Sequence, residues 1–335
     1  MSLTNEHLYI DLLCTNATQT NTNHRVAVKF MQNQSKKLLK TTDGYKLSII
    51  RFSLNTETLP VFIPSMQSTN VTTYSVTLEL NGYRHQQYMQ FVPQNVNPID
   101  PDEYYYVYNY EFLIYLMNQC MLTCFNTLKT LVNVSSSTVQ PIMSFDRETQ
   151  KCSIQIDSNT YGYNESNKIN IYMNYAMYTL FSGLPSMVVN KNSQGMDYQL
   201  NNLISQDTSL LEQDYSTVAM WNPVSSVIFT SNLLPIYASE TPPIQVYQNG
   251  ALLNNSSNSN YLNILTDFVA NDMQFIPYIQ YAPSIYRYIS LKHGAEIQNI
   301  DLQVFWQNRN TGILKPLYLG PGNSCSIKLY LTNQA

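Results

Sequence analysis

Apolar and polar residues alternate with a period of two over most of this chain. That spacing commits it to strands with two unlike faces. In HRVAVKFM, Val26, Val28 and Phe30 alternate with Arg25, Ala27 and Lys29. GYKLSIIRFSL puts Leu47 and Ile49 on one face. YSVTLELNGYRHQQYMQFV is the clearest hairpin, with Val76, Leu78 and Leu80 alternating before Asn81-Gly82. That dipeptide supplies the positive φ angles a type I′ turn requires. SIQID, NKINIYM, SSVIFTS, NILTDFV, SIYRYISL, NIDLQVFWQ and SCSIKLYLT extend the series, with turns at QNRNTG and LGPGN. Many short strands between turn signals predict an all-β sandwich.

One segment breaks the period. From Tyr110 to about Leu131 the apolar positions 112, 113, 116, 117, 120, 121, 124 and 128 recur at helical spacing. Asn109 is a fitting N-cap, and Glu111 complements the positive end of the helix. NYAMYTLFSGLPS predicts a short helix ended by Gly183 and Pro185, and the polar stretch from Asn190 to Ser216 predicts a loop with brief structure. Two β-rich blocks therefore flank a mixed middle. The expected organisation is one sandwich built from residues 1–105 and 222–335, with 106–221 inserted.

Charged residues make up only 12% of the 335 positions, against about 25% in an average domain. Asn, Gln, Ser, Thr and 27 Tyr take their place. An aromatic share of 12% excludes a disordered chain. A net charge of −4 argues against a strongly basic nucleic-acid binder. EFLIYLMNQCMLTCF is too short and too polar to cross a membrane, and the first residues lack the pattern of a signal peptide. Five cysteines are too few and odd in number for a disulfide framework. Cys120 and Cys124 share a helix face, but the histidines are scattered. The cysteines read as small buried side chains in a protein made in a reducing compartment.

No catalytic motif is present: there is no GxSxG, HExxH, P-loop or dinucleotide glycine pattern. No catalytic, cofactor-binding or metal-binding residue is therefore assigned. Asp100, Asp102 and Glu103 form an acidic cluster that reads as a solvated loop rather than a calcium or general-acid site. Asp267 and Asp301, each among apolar strand residues, read as hydrogen-bonded structural carboxylates. Arg25, Lys29, Lys36, Lys37, Lys40, Lys46 and Arg51 crowd one region, opposed in sequence only by Asp43. They suit an acidic partner or nucleic acid, or the guarding of an edge strand. The Tyr runs contain Tyr104, Tyr105, Tyr106, Tyr278 and Tyr281. Aromatic side chains can stack sugars or bases, but a charge-poor, Tyr-rich surface fits permanent protein contacts better.

RFSLNTETLPVFIP (from Arg51), SSVIFTSNLLPIYASE, NILTDF, YAPSIYRYISL and the long segment from Ile300 to Leu331 together resemble a viral family. It comprises the penton-type minor capsid proteins of polinton-like viruses, adintoviruses and virophages. The resemblance implies a jelly-roll fold, five-fold assembly at capsid vertices and contact with a separate major capsid protein. It implies no catalytic residues. The expected partners are further copies of the chain, the major capsid protein, and the genome or another internal component facing Arg25, Lys29, Lys36, Lys37 and Lys40. The expected location is the virion. The rival reading is a spike or attachment module that binds glycans or a receptor, motivated by the Tyr content and the loop from Asn254 to Asn260.

Overall fold

The computed structural model describes residues 7–17, 24–162, 165, 167–191, 195–200, 210–237, 246–248, 251–252, 263–269 and 277–333. These fall into two compact units. The first holds residues 1–60, 99–101 and 223–335, and the second 61–98 and 102–222. The hairpin region, expected in the sandwich, thus belongs to the unit that contains the helix. The reason lies in strand pairing. Asn170–Met173 lies antiparallel to Val71–Leu80, so a partner about a hundred residues away claims the hairpin.

The first unit is a jelly-roll β-sandwich. One sheet runs His7–Thr15, Ser324–Asn333, Tyr45–Asn55 and Tyr278–Tyr281, with Ile289–Ser290 also on Tyr45–Asn55. The other runs Ile264–Val269, Val224–Thr230 and Ile300–Asn308, with Lys29–Gln32 and Leu314–Pro316 both alongside Ile300–Asn308. All these pairings are antiparallel. Inward residues alternate along the edge strand His7–Thr15, as Ile10, Leu12 and Cys14 show, whereas Val224–Thr230 and Ile300–Asn308 are buried on both faces. Phe52 of the first sheet meets Phe229 and Phe268 of the second, with ring centroids 5.2 and 4.6 Å apart. Burying one such ring stabilises the fold by about 1.5–3 kcal/mol. This aromatic joint holds the sheets face to face.

In the second unit the helix Tyr110–Leu131 lies on the hairpin Val71–Leu80/Tyr83–Gln90. Asn81 and Gly82 take φ of 52° and 81°, as the turn requires. Its buried side chains are Tyr110, Leu113, Ile114, Leu116, Met117, Cys120, Met121, Cys124, Phe125 and Leu128. The Asn109 side chain accepts the Phe112 N–H at 2.7 Å and caps the helix. Asn118 is polar for a reason. Its amide donates to the Met143 carbonyl at 2.9 Å and accepts the Met143 N–H at 2.8 Å. It thereby ties the strand Ile142–Asp146 to the helix. The polar stretch from Asn190 to Ser216, expected to be loop with brief structure, holds the strands Met196–Leu200 and Leu210–Glu212 and the end of Ser186–Lys191.

Candidate assembly surfaces

The basic residues follow one path along the sandwich. Lys29 is exposed on the short strand Lys29–Gln32, whose Phe30 is fully buried. The chain then runs past Lys36, Lys37 and Lys40, all exposed. It is anchored by Leu38 and Leu39, whose N–H groups donate to the Ile297 carbonyl at 2.8 and 3.0 Å. The expectation that only Asp43 opposes this region is corrected by the fold. Lys37 pairs with Glu296, and Arg51 reaches Asp11 at 3.5 Å. The Arg25 guanidinium lies 5.7 Å from the Tyr318 ring centroid. Residues distant in sequence thus soften the positive field without removing it, since such exposed pairs are worth about 0–1 kcal/mol.

The five singled-out tyrosines separate. Tyr106 is 2% exposed, so it belongs to the core and presents no assembly surface. Its hydroxyl donates to Asp102 at 3.1 Å. Burial and the neighbouring Asp102 carboxylate raise it far above the usual phenol range. Tyr104 and Tyr105 are half-buried, packed edge to face at 5.1 Å and both against Phe91. Tyr278 and Tyr281 are more open, on the sandwich strand Tyr278–Tyr281. Tyr281 also stacks on Phe52 at 5.1 Å, so one ring serves core and surface.

A further aromatic cluster lies on the outer face of the first sheet. Tyr9 stacks on Tyr330 at 4.9 Å, and Tyr286 meets Tyr330 at 5.9 Å and Tyr288 at 6.4 Å. Partial desolvation and these neighbouring phenols raise the Tyr9 hydroxyl above its ordinary range. Ile285 beside them is 81% exposed, and Leu13 on the same strand face as Tyr9 is 66% exposed. The run YIQYAPSIYRY signals part of this patch. Tyr9 and Tyr330 come from opposite ends of the sequence, and only strand pairing joins them.

The acidic residues also move. Asp100 and Glu103 are buried, which corrects the solvated-loop reading. Among the described residues no group of three His, Cys, Asp or Glu side chains could hold a metal ion. Asp301 is the hydrogen-bonded structural carboxylate expected. One oxygen accepts from the Ser231 hydroxyl at 2.7 Å and the N–H groups of Asn232 and Leu233 at 3.0 and 2.8 Å. Asp267 is not. It faces outward and pairs with Arg287 at 3.7 Å. All five cysteines are buried and free. Among the described residues no helix is long and apolar enough to cross a membrane. The loop from Asn254 to Asn260 lies outside the described residues.

Known proteins resemble the chain along its length. "Structural protein V19" of Sputnik virophage is 26% identical over 205 residues, covering 55% of this chain and 90% of that protein. "Uncharacterized protein V18" of the same virophage is 28% identical over 127 residues, or 32% and 76%. A chain in the cryo-EM structure of the Sputnik virophage superposes with a TM-score of 0.80 at 23% identity, covering 98% of each. The mavirus penton protein superposes at 0.69 and 18% identity, covering 97% of this chain and 99% of that one. The family model for Sputnik minor capsid protein V18/19 matches residues 8–333. With the jelly roll, the charge-poor composition and this end-to-end match together, the chain belongs to the Sputnik minor capsid protein V18/19 family.

Proposed function

We propose that this chain is a penton-type subunit that assembles as a homopentamer at capsid vertices and contacts a separate major capsid protein there. The observation that carries the reading is the superposition of nearly the whole chain, both units included, on a chain of the Sputnik virion. The mavirus penton protein supports it with a second full-length likeness. The mechanism is assembly. Burying Tyr-rich, charge-poor surface yields large contacts with little desolvation cost, and closed symmetry fixes the copy number. Tyr278 and Tyr281, with the cluster around Tyr9, Tyr286 and Tyr288, are the side chains we assign to such contacts. Tyr104 and Tyr105 contribute only their exposed edges.

The basic path from Arg25 to Lys40 is assigned to the capsid interior, facing the genome or another acidic internal component. Lys29, Lys36 and Lys40 leave their charge available to such a partner, and Lys37 shares its charge with Glu296.

The test is the native mass and outline of the purified chain, by analytical ultracentrifugation with negative-stain imaging, alone and co-expressed with the major capsid protein. A discrete five-fold ring in either preparation is the expected result. A trimer, or a monomer in both preparations, overturns the vertex reading.

A further inference from the structure

Cys14 and Cys325 face each other in register across two antiparallel strands, His7–Thr15 and Ser324–Asn333. Both are buried on the inner face of the sandwich and both are free thiols. Two residues along the same ladder, the Asn16 N–H donates to the Asn323 carbonyl at 3.0 Å. Hydrogen-bonded and non-bonded pairs alternate, so Cys14 and Cys325 form a hydrogen-bonded pair with Cα atoms about 5.5 Å apart. A disulfide spans Cα separations of about 4.4–6.8 Å. The Cys325 sulfur accepts the Asn55 N–H at 3.2 Å, on the side away from Cys14. A rotation about its χ1 releases that contact and turns the sulfur toward its partner.

We propose that Cys14 and Cys325 form a reversible cross-strand disulfide when the protein passes from thiol-rich to oxidising surroundings. The bond would fasten the edge strand of the sandwich to its neighbour. The co-reactant is a low-molecular-weight disulfide such as oxidised glutathione. The Cys14 thiolate attacks one glutathione sulfur, the glutathione S–S bond breaks, and one glutathione thiolate leaves. The Cys325 thiolate then attacks the Cys14 sulfur of the mixed disulfide, and the second glutathione leaves. The two cysteine protons end on the two glutathione thiols. The protein loses two electrons and the oxidant gains them.

Cys14 reacts first because it lies on the edge strand, paired on one side only, and is 9% exposed against 1% for Cys325. Facing Cβ atoms of a hydrogen-bonded pair lie near the wide end of about 4.5–5.5 Å. A disulfide wants about 3.8 Å. The ladder must narrow to close the bond, which leaves it easily reduced and so reversible. The remaining cysteines are placed differently. Cys120 and Cys124 lie one turn apart, and their S–H groups donate to the Gln87 and His85 carbonyls at 3.3 and 3.1 Å.

The test uses the full-length chain, incubated natively with oxidised glutathione, quenched with acid, alkylated in denaturant and mapped by peptide mass. The expected product is a Cys14–Cys325 linked peptide that dithiothreitol releases. Oxidation should raise Tm by about 5 °C, because the bond closes a loop of nearly the whole chain. Amide exchange over residues 8–14 should slow about tenfold. Cys14→Ala and Cys325→Ala should each abolish both effects, whereas Cys152→Ala should keep them. Recovery of both thiols in alkylated form, or of Cys14 only as a glutathione adduct, overturns the proposal. Should the alanine variants fail to fold, the wild-type peptide map decides alone.

Discussion

Asp301 shows how one buried side chain can organise a loop. Its carboxylate collects the Ser231 hydroxyl and two successive backbone N–H groups, and the Ser231 hydroxyl oxygen in turn accepts the Leu234 N–H at 3.0 Å. Asp301→Ala would leave the buried Ser231 hydroxyl and the part-buried Asn232 and Leu233 N–H groups without that acceptor. The expected cost is about 1–3 kcal/mol, read as a lower urea midpoint with unchanged slope. The cysteines give a second expectation. Burial pushes the Cys152 thiol up to about 12, so thiolate is scarce at pH 8 and reaction must wait for the core to open. A maleimide at pH 8 should label Cys152 far more slowly in the native chain than in denaturant, and equal rates would contradict this. Asp301 was legible in the sequence because it lies among Ile300, Leu302 and Val304 on a strand buried on both faces. Asp267 was not, since its strand is buried on one face only and short apolar runs do not say which. Tyr106 misled for a related reason. In YYYVYNY five of the seven residues are Tyr, and the single 3₁₀ turn Pro101–Tyr105 decides which ring goes inward.

Among the elements, the helix was the most legible because its stripe and its cap agree. Seven of its eight expected apolar positions are buried, Phe112 being only partly so, Ile114 and Phe125 join them, and Asn109 caps where expected. Asn109→Ala should destabilise the chain by about 1 kcal/mol, measured by chemical denaturation. Asn109→Ser should recover most of that loss. The strand His7–Thr15 was harder to see. Its inward set, Leu8, Ile10, Leu12 and Cys14, alternates properly, but the outward set includes the apolar Tyr9 and Leu13. A strand with hydrophobic side chains on both faces loses the period that would betray it. Met196–Leu200, which pairs with Ser186–Lys191, was hidden by the polar stretch around it. Its Tyr198 stacks on Tyr178 of the helix Tyr175–Leu180 with ring centroids 3.8 Å apart, a contact from outside the strand pair.

For the molecule as a whole, the sequence indicated a β-sandwich and a mixed second region, while the division between them was set by pairing across long separations. Composition carried the assembly reading. If the cluster around Tyr9 is an assembly contact, replacing Ile285 and Tyr288 with Ser should weaken self-association at least about tenfold. The denaturation midpoint should stay nearly unchanged, since Ile285 is 81% exposed. Wild-type sedimentation in that double variant would remove those residues from the interface. Replacing Lys36, Lys37 and Lys40 with Ala should lower particle yield or genome content. Unchanged values of both would sink the interior-facing assignment. The strand Ser324–Asn333 pairs with both His7–Thr15 and Tyr45–Asn55. On a ribosome, the first fifty-odd residues therefore wait for a partner that emerges about three hundred residues later, whereas the helix-bearing unit has all its strands long before. Synthesis should accordingly pass through a state with one finished unit and one open sheet edge. That open edge is the moment at which a nascent chain is most exposed to pairing with its neighbours on the same messenger.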